Sequence, residues 1–474
     1  MQPSRRLPYR HQVPVMSALM AVIATLAPVR CWAAQGATPL PGLIWGVPFL
    51  GVLASIGLFP MFAPRLWHRR MGTVCVVWIA LLVVPQALHQ GLAMTAAEVW
   101  RALLLEYLPF VTLLLALFTV GGGILVQGGP WGRPAGNTLL LAIGTALAGV
   151  MGTTGAAMVL IHPLLRSNAH RARKTHLVMF FIILVANVGG VTSPLGNPPQ
   201  YVGFLEGVPF FWPIRYLLAP MLVVAAILLA AFHAYDRHLA ASEPASPPTG
   251  RLRLRGTGNI ALLVLVVGAV LLQGLWTPGR VRLLGQPVGI QQLMAIAVFL
   301  LVTLVSIRFT PLAVRQANMF AWAPMAEVAK LFAAIFITIT PMLAILSAGL
   351  HGPAAPLLRL TENAAGQPVA AMYFWLSGVV SAFLDSAPAY LVFFQMAGGD
   401  AAVLTGRLNH LLVAIAAGAN FFGALTYIGN APNMMVQSIA AHRGIRMPGF
   451  FGYIGWVAGI LLPVYALLTL LFFV

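Results

Sequence analysis

Apolar runs of about twenty residues recur from one end of this chain to the other. As helices, such runs are long enough to cross a hydrocarbon core of about 30 Å. Composition agrees, with 60% of residues hydrophobic and 8% charged, against roughly 25% charged in an ordinary soluble domain. A transmembrane barrel would instead carry alternating segments of about ten residues, and the sequence has none. The chain reads as an all-α polytopic membrane protein. Its net charge of +18 would suit nucleic acid, but the basic residues sit in short loops between apolar spans, as in "RLWHRR" (65–70), "RSNAHRARK" (166–174) and "RLRLR" (251–255). That placement is the signature of membrane orientation, not of a nucleic-acid partner. The partner that composition does imply is the lipid bilayer, with localisation as a multi-pass protein of the inner (plasma) membrane.

The organisation follows from the spans. Residues 1–34 read as a signal peptide: a basic start, a short apolar run, and small residues at "CWAAQG" (31–36). Apolar spans follow at 43–62, 73–90, 103–127, 137–164, 175–205 and 212–234, and again at 258–276, 289–307, 326–350, 370–397, 408–441 and 449–473. Residues 40–235 are thus expected to form one transmembrane repeat, 236–257 a cytoplasmic linker, and 258–474 a second repeat. Two cysteines, Cys31 and Cys75, are too few for a disulfide framework or a metal cluster.

Charge placement sets the topology. If span 137–164 crossed the membrane, the strongly basic 166–174 loop would lie outside. If that span dips in and returns as a re-entrant hairpin, both flanks stay inside. Each repeat then has five crossings, one of them broken, plus a hairpin, and the odd number inverts the second repeat. Outside fall only Arg101, Arg215, Arg280, Arg282, Arg359 and Arg407; the three basic clusters and Arg133, Arg237, Arg308, Arg315, Lys330, Arg443 and Arg446 fall inside.

The broken crossings carry a repeated phrase. "ANVGGVTSPLGNPP" (186–199) aligns without a gap to "ANFFGALTYIGNAP" (419–432), at an offset of 233 positions. Asn187 pairs with Asn420, Asn197 with Asn430, and Ser193 with Thr426. The same offset sets "MGTTGA" (151–156) against "LDSAPA" (384–389), pairing Thr153 with Ser386 and Gly152 with Asp385. Gly and Pro interrupt helices, and backbone freed in this way is tolerated at membrane depth only in protein or beside a cavity. There, helix N-termini offer N–H groups to an anion, and unwound carbonyls with Asn, Ser and Thr oxygens suit a small hard cation. Two inverted copies around one midplane site make an alternating-access transporter.

These hairpins and breaks, with "HLVMFFIILVANVGGVTSPLGNPPQYVGFLEGVPFFW", "FLDSAPAYLVFF" and "YIGNAPN", resemble the ion transporter superfamily, and within it bacterial citrate transporters and sodium:proton antiporters. The likeness covers nearly everything after residue 40. It implies that hairpin-tip hydroxyls and the facing breaks hold sodium and a substrate carboxylate, which points to Thr153, Thr154, Asn197, Ser386 and Asn430. Where the dicarboxylate branch has a Ser-Asn-Thr triplet at its tips, this chain has "GTTG" and "DSAP". Related folds often dimerise, so a homodimer is a further expectation.

Nine acidic residues can be weighed one by one; Glu327, three residues before Lys330 near the start of its helix, reads as a structural i,i+3 pair. Glu98, Glu206, Asp236, Glu243, Glu362 and Asp400 fall in loops or at span ends and are expected to be solvated. Glu106 sits a turn or two inside a span. Asp385, far from either end of its span, is the acid whose burial calls for a function, as a sodium ligand or a proton carrier; an N-cap role is compatible with either. His176 is expected to be an interfacial anchor and His162 a packed polar residue.

The candidate ion- and substrate-binding set is therefore Thr153, Thr154, Asn187, Ser193, Asn197, Asp385, Ser386, Asn420, Thr426 and Asn430, with Na+ at Thr153, Asn197, Asp385 and Asn430. No cofactor is expected beyond Na+ or H+ as coupling ions. The sequence has no H-E-x-x-H motif, no pair of membrane aspartates and no P-loop, which argues against an enzyme or an ATP-driven pump. Two functions remain: a secondary transporter coupling Na+ or H+ to movement of a small citrate-type carboxylate, or a Na+/H+ antiporter with no organic substrate.

Overall fold

The computed structural model describes residues 42–244 and 250–474. The expected signal peptide and Cys31 lie outside the described residues. Ten helices among the described residues are long and apolar enough to cross a membrane, and strand is confined to two small two-stranded sheets. The protein is an all-α polytopic membrane protein. In the first half, helices α1 (Val47–Phe62), α2 (Pro64–Gln90), α3 (Leu92–Gly121), α4 (Pro134–Met151), α5 (Thr153–Ser167), α6 (Thr175–Leu184), α7 (Pro198–Leu205) and α8 (Trp212–Ala240) follow in order. In the second come α9 (Gly258–Leu275), α10 (Ile290–Phe309), α11 (Ala323–Ser347), α12 (Ala370–Leu384), α13 (Ser386–Met396), α14 (Asn409–Phe421), α15 (Ala431–His442) and α16 (Phe450–Phe472).

Local structure recurs at the 233-residue offset wherever the sequence phrase does. Helix α4 ends at Met151 and α12 at Leu384; single residues, Gly152 and Asp385, join them to α5 and α13. A short 3-10 turn follows α6 at Val188–Thr192, and another follows α14 at Phe422–Leu425. Packing between arm and break is reciprocal. In the first half Gly189 lies against the carbonyl of Thr145; at the matching positions of the second, Gly378 makes room for the ring of Phe422. Each contact needs one glycine, and the two halves place it on opposite partners.

Three elements differ from the sequence reading. Helix α3 starts at Leu92, not 103, so Glu98 and Arg101 are helical; Glu98 accepts hydrogen bonds from Gln86 and from Gln90 Nε2, the latter at 3.0 Å. Within α3, Ala102–Tyr107 form a π-helical turn carrying Glu106, whose neighbour Leu105 takes the Gln292 amide on its carbonyl at 2.8 Å. The helix stops at a run of three glycines, and Leu125–Gln127 (β1) pair antiparallel with Arg253–Arg255 (β2), which straps the linker to the first half. A second hairpin pairs Arg280–Leu283 (β3) with Gln286–Gly289 (β4).

Helix α8 also runs past its apolar stretch, and Asp236 explains why. This carboxylate is fully buried, not solvated as its span-end position suggests. Its Oδ1 meets Arg171 at 2.6 Å and His176 Nε2 at 2.8 Å, and its Oδ2 accepts from Asn137 Nδ2 at 3.0 Å. Asn137 and Asn168 exchange amide hydrogen bonds at 3.0 and 2.9 Å. One acid therefore ties the start of α4, the loop after α5, the start of α6 and the end of α8. His176 is a buried member of this hub, not an interfacial anchor. His162 is packed as expected, with Nε2 2.8 Å from the Asn318 carbonyl. Just beyond the hub, Glu243 accepts the N–H groups of Ala172 and Arg173 at 2.9 Å each, which holds its carboxyl below the usual range.

Removing one partner of a buried ion pair typically costs about 3–5 kcal/mol, because the other charge is left uncompensated. Asp236→Ala is accordingly expected to lower the thermal unfolding midpoint of the detergent-purified protein by several degrees. An unchanged midpoint would show that Arg171 and His176 find other partners.

Candidate functional site

The two hairpin tips share a backbone shape that L residues avoid. Gly152 has φ 77° and ψ 150°; Asp385 has φ 82° and ψ 145°. Glycine adopts this conformation freely, whereas a residue with a side chain is strained there by about 1–3 kcal/mol. The first half uses glycine and the second keeps a carboxylate. Asp385 is 8% exposed, and its Oδ1 accepts from Ala387 N at 3.3 Å and from Ser386 Oγ at 3.5 Å. It caps α13, yet that cap alone does not repay the backbone.

Each break is pinned to its hairpin by one hydroxyl. Ser193 Oγ donates to the Gly149 carbonyl and Thr426 Oγ1 to the Ala382 carbonyl, again 233 residues apart. Ser193 also accepts the Leu195 N–H at 3.1 Å, and Thr426 the Gly429 N–H at 2.9 Å. Both hydroxyls are thus engaged in holding freed backbone, as the scarcity of water in a membrane protein's interior demands. The breaks also cross over themselves: a Cβ on Gly196 would meet the Gly190 carbonyl, and one on Gly429 the Gly423 carbonyl.

Asparagines then join the two breaks to each other. Asn187 Nδ2 donates to Ile182 O at 2.9 Å and to Asn433 Oδ1 at 2.8 Å. Asn197 Nδ2 donates to Asn187 O at 3.1 Å, and its Oδ1 accepts from Thr153 Oγ1 at 2.8 Å. Asn430 Nδ2 faces three acceptors, Ala186 O at 2.9 Å, Asn197 Oδ1 at 3.1 Å and Asn187 Oδ1 at 3.3 Å. That arrangement fixes which end of the Asn430 amide is nitrogen and turns its oxygen the other way. Asn430 Oδ1 is buried without a partner, and so is Asn420 Oδ1, whose amide nitrogen bonds Ala416 O at 2.7 Å. Asn433, in neither repeated phrase's pairing, is a full member of this lattice, donating to Gly423 O and Thr426 O at 2.8 and 2.9 Å. Its counterpart in the first half is Gln200, which is why comparing the copies does not reveal it.

A cavity of about 390 Å³ opens on these groups. Of the ten sequence candidates, Thr153, Thr154, Asn197, Asp385 and Asn430 line it; Asn187, Ser193, Ser386, Asn420 and Thr426 do not. The N-terminal ends of five helices, α5, α7, α11, α13 and α15, reach its wall, each carrying partial positive charge. Two carboxylates line it, Asp385 and Glu327, and no Arg, Lys or His does. The remaining wall is apolar and methionine-rich, including Trp67, Met71, Phe110, Met325, Phe332, Met434 and Met435, with Gln437 and Ser438 toward one end. Tyr201, one turn into α7, belongs to an aromatic cluster with Phe110, Phe332 and Phe336; the Phe110 ring centroid lies 4.4 Å from Phe332, 5.5 Å from Phe336 and 6.2 Å from Tyr201. The oxygens present suit a hard monovalent cation, and no group of three or more His, Cys, Asp or Glu converges among the described residues.

A glycine at 385 would lose a cap worth about 1 kcal/mol and relieve strain of about 1–3 kcal/mol. Asp385→Gly is therefore expected to leave the thermal midpoint equal or higher. A clear drop in the midpoint would mean that the carboxylate is there for stability.

A family model described as putative citrate transport matches residues 38–473. No curated protein matches the chain.

Proposed function

Because the chain belongs to the putative citrate transport family, we propose that this transporter couples Na+ or H+ to the movement of a small citrate-type carboxylate across the bacterial inner membrane. The observation that carries the coupling is the charge of the cavity wall. It holds two carboxylates and no cationic side chain, so a multiply charged anion gains nothing from fixed charge there. The helix N-termini offset part of this deficit, and bound cations supply the rest. A carboxylate that cannot bind well without its cations is a coupled carboxylate. This is the chemistry of a carrier, not of an enzyme.

Alternating access is the mechanism that fits. In this reading the halves are inverted copies, and their tips and breaks lie near the bilayer midplane. The cavity lining beyond the tips comes from Trp67 and Met71, from residues 323–328 and from Gln437 and Ser438, all close in sequence to the basic residues Arg69, Arg70, Lys330 and Arg443. The positive-inside rule assigns that end to the cytoplasm. The conformation is then the inward-facing one, with the aromatic cluster of Phe110, Tyr201, Phe332 and Phe336 as its outer seal.

A second reading, Na+/H+ antiport without an organic substrate, draws on Asp385, a buried carboxylate that sodium and protons would occupy in turn. One experiment separates the two: proteoliposomes with and without a sodium gradient, labelled citrate outside, and internal pH recorded. Sodium- or proton-driven citrate accumulation, lost in Asp385→Asn, is the expected result. Sodium-driven pH change without citrate uptake would select antiport, and neither signal would remove both.

A further inference from the structure

We propose that the two halves divide the site by charge, the second-half tip and break taking a sodium ion and the first-half tip taking a substrate carboxylate. This rests on the transport reading above and adds to it a division that the near-symmetry of the two phrases conceals.

The cation end is identified by what is left over. At two positions of equal backbone shape the first half has Gly152 and the second Asp385, so only one tip brings negative charge into the cavity. The amide oxygens differ in the same sense. Asn197 Oδ1 is filled, by Thr153 Oγ1 at 2.8 Å and Asn430 Nδ2 at 3.1 Å. Asn430 Oδ1 has no partner, its residue is 1% exposed, and it lines the cavity. A buried carbonyl oxygen without a donor is costly, and a cation beside Asp385 would satisfy it. In the first half, the Thr153 hydroxyl already plays that part.

The anion end is identified by where backbone N–H groups remain away from an acid or the open Asn430 oxygen, which sets aside the start of α15, whose N-cap residue is Asn430, and that of α11, which carries Glu327. Helix α7 opens with Pro198–Pro199 and has no N–H to offer in its first two positions. At the second tip, the Ala387 N–H is taken by Asp385 itself. At the first tip, the Thr153 N–H goes to Gly196 O at 2.9 Å, and the next two residues of the 15-residue helix α5 are Thr154 and Gly155, both lining the cavity. Their N–H groups and the Thr154 hydroxyl make an N-terminal seat for a carboxylate, with no acid on that tip to repel it. A carboxylate placed at the other tip would face Asp385.

The test is equilibrium binding to the purified full-length protein in nanodiscs, of sodium alone by calorimetry and of citrate at saturating sodium. Asn430→Ala and Asp385→Asn are each expected to weaken sodium binding in the absence of citrate by tenfold or more. Thr154→Val is expected to change it by less than twofold while weakening citrate at least tenfold, and Gly152→Asp to abolish citrate binding with sodium retained. The division is overturned if Thr154→Val weakens sodium alone tenfold, or if both second-half variants, eluting as folded protein, bind sodium as the wild type does. Wild-type protein that binds citrate but no sodium also overturns it, leaving the carboxylate reading intact; wild-type protein that binds neither ends both.

Discussion

A polar backbone in a membrane protein must find its hydrogen bonds within the protein, and everything distinctive in this structure follows from two places where the helix cannot supply them. Glycine and proline open the chain at 186–199 and 419–432. The freed carbonyls and N–H groups are then satisfied by a fixed cast of side chains: Ser193 and Thr426 toward the hairpins, Asn197 and Asn433 within their own break, and Asn187 and Asn430 toward the opposite half. Neither break is complete alone. Asn430 reaches Ala186, and Asn187 reaches Asn433, so each half finishes the hydrogen bonding of the other. A lattice of neutral amides also leaves few ways to bury a charge, which makes the one carboxylate at its edge, Asp385, conspicuous.

Strain at Asp385 has a simple comparison built into the chain. Gly152 demonstrates that glycine satisfies the same turn at the same place in the other half. A chain selected for stability alone would use glycine twice. Backbone strain of this kind persists where the side chain is needed for something that stability does not reward, and in the proposed reading that something is charge placed at the tip, in a cavity whose other carboxylate, Glu327, lies on α11.

The sequence made the class, the spans and the two interruptions legible, because each is a local pattern: a run of apolar residues, a Gly-Asn-x-Pro phrase, a polar tip. Matching the copies also located the tips to the residue, at Gly152 and Asp385. What stayed hidden was contact between distant segments. Asp236 reads as a solvated acid beyond the end of a span, and only the fold brings Arg171 and His176 to it. Ser193 and Thr426 read as candidates for binding, yet their hydroxyls face backbone carbonyls; nothing in a serine's position along the chain says which way its oxygen points. Helix length divides the chain differently from the expected topology: α4, expected as a hairpin arm, has enough residues to count as a span, while Asn409–Leu425 falls short of the same measure.

The hub around Asp236 marks where the two halves stop resembling each other, and its charge explains the difference. At the offset of 233, Asn137, Asn168, Arg171, His176 and Asp236 correspond to Ala370, Ala401, Leu404, Asn409 and Thr469. No charge remains in the second set, and two of its members accept hydrogen bonds from tryptophans instead: Asn409 from Trp212 Nε1 at 2.7 Å, and Thr469 from Trp375 Nε1 at 3.0 Å. If the halves are inverted, these equivalent positions face opposite sides of the membrane. The side assigned to the cytoplasm carries an excess of Lys and Arg, and an arginine drawn into the protein there needs an acid to neutralise it. The other side has no such excess, so amphipathic indoles at the interface can close the same junction with neutral hydrogen bonds. Ions tie the hairpin and the broken helix to the last helix of the first half; in the second, Trp375 ties the hairpin arm α12 to the last helix α16, and the broken helix α14 is tied through Trp212 to α8 of the other half.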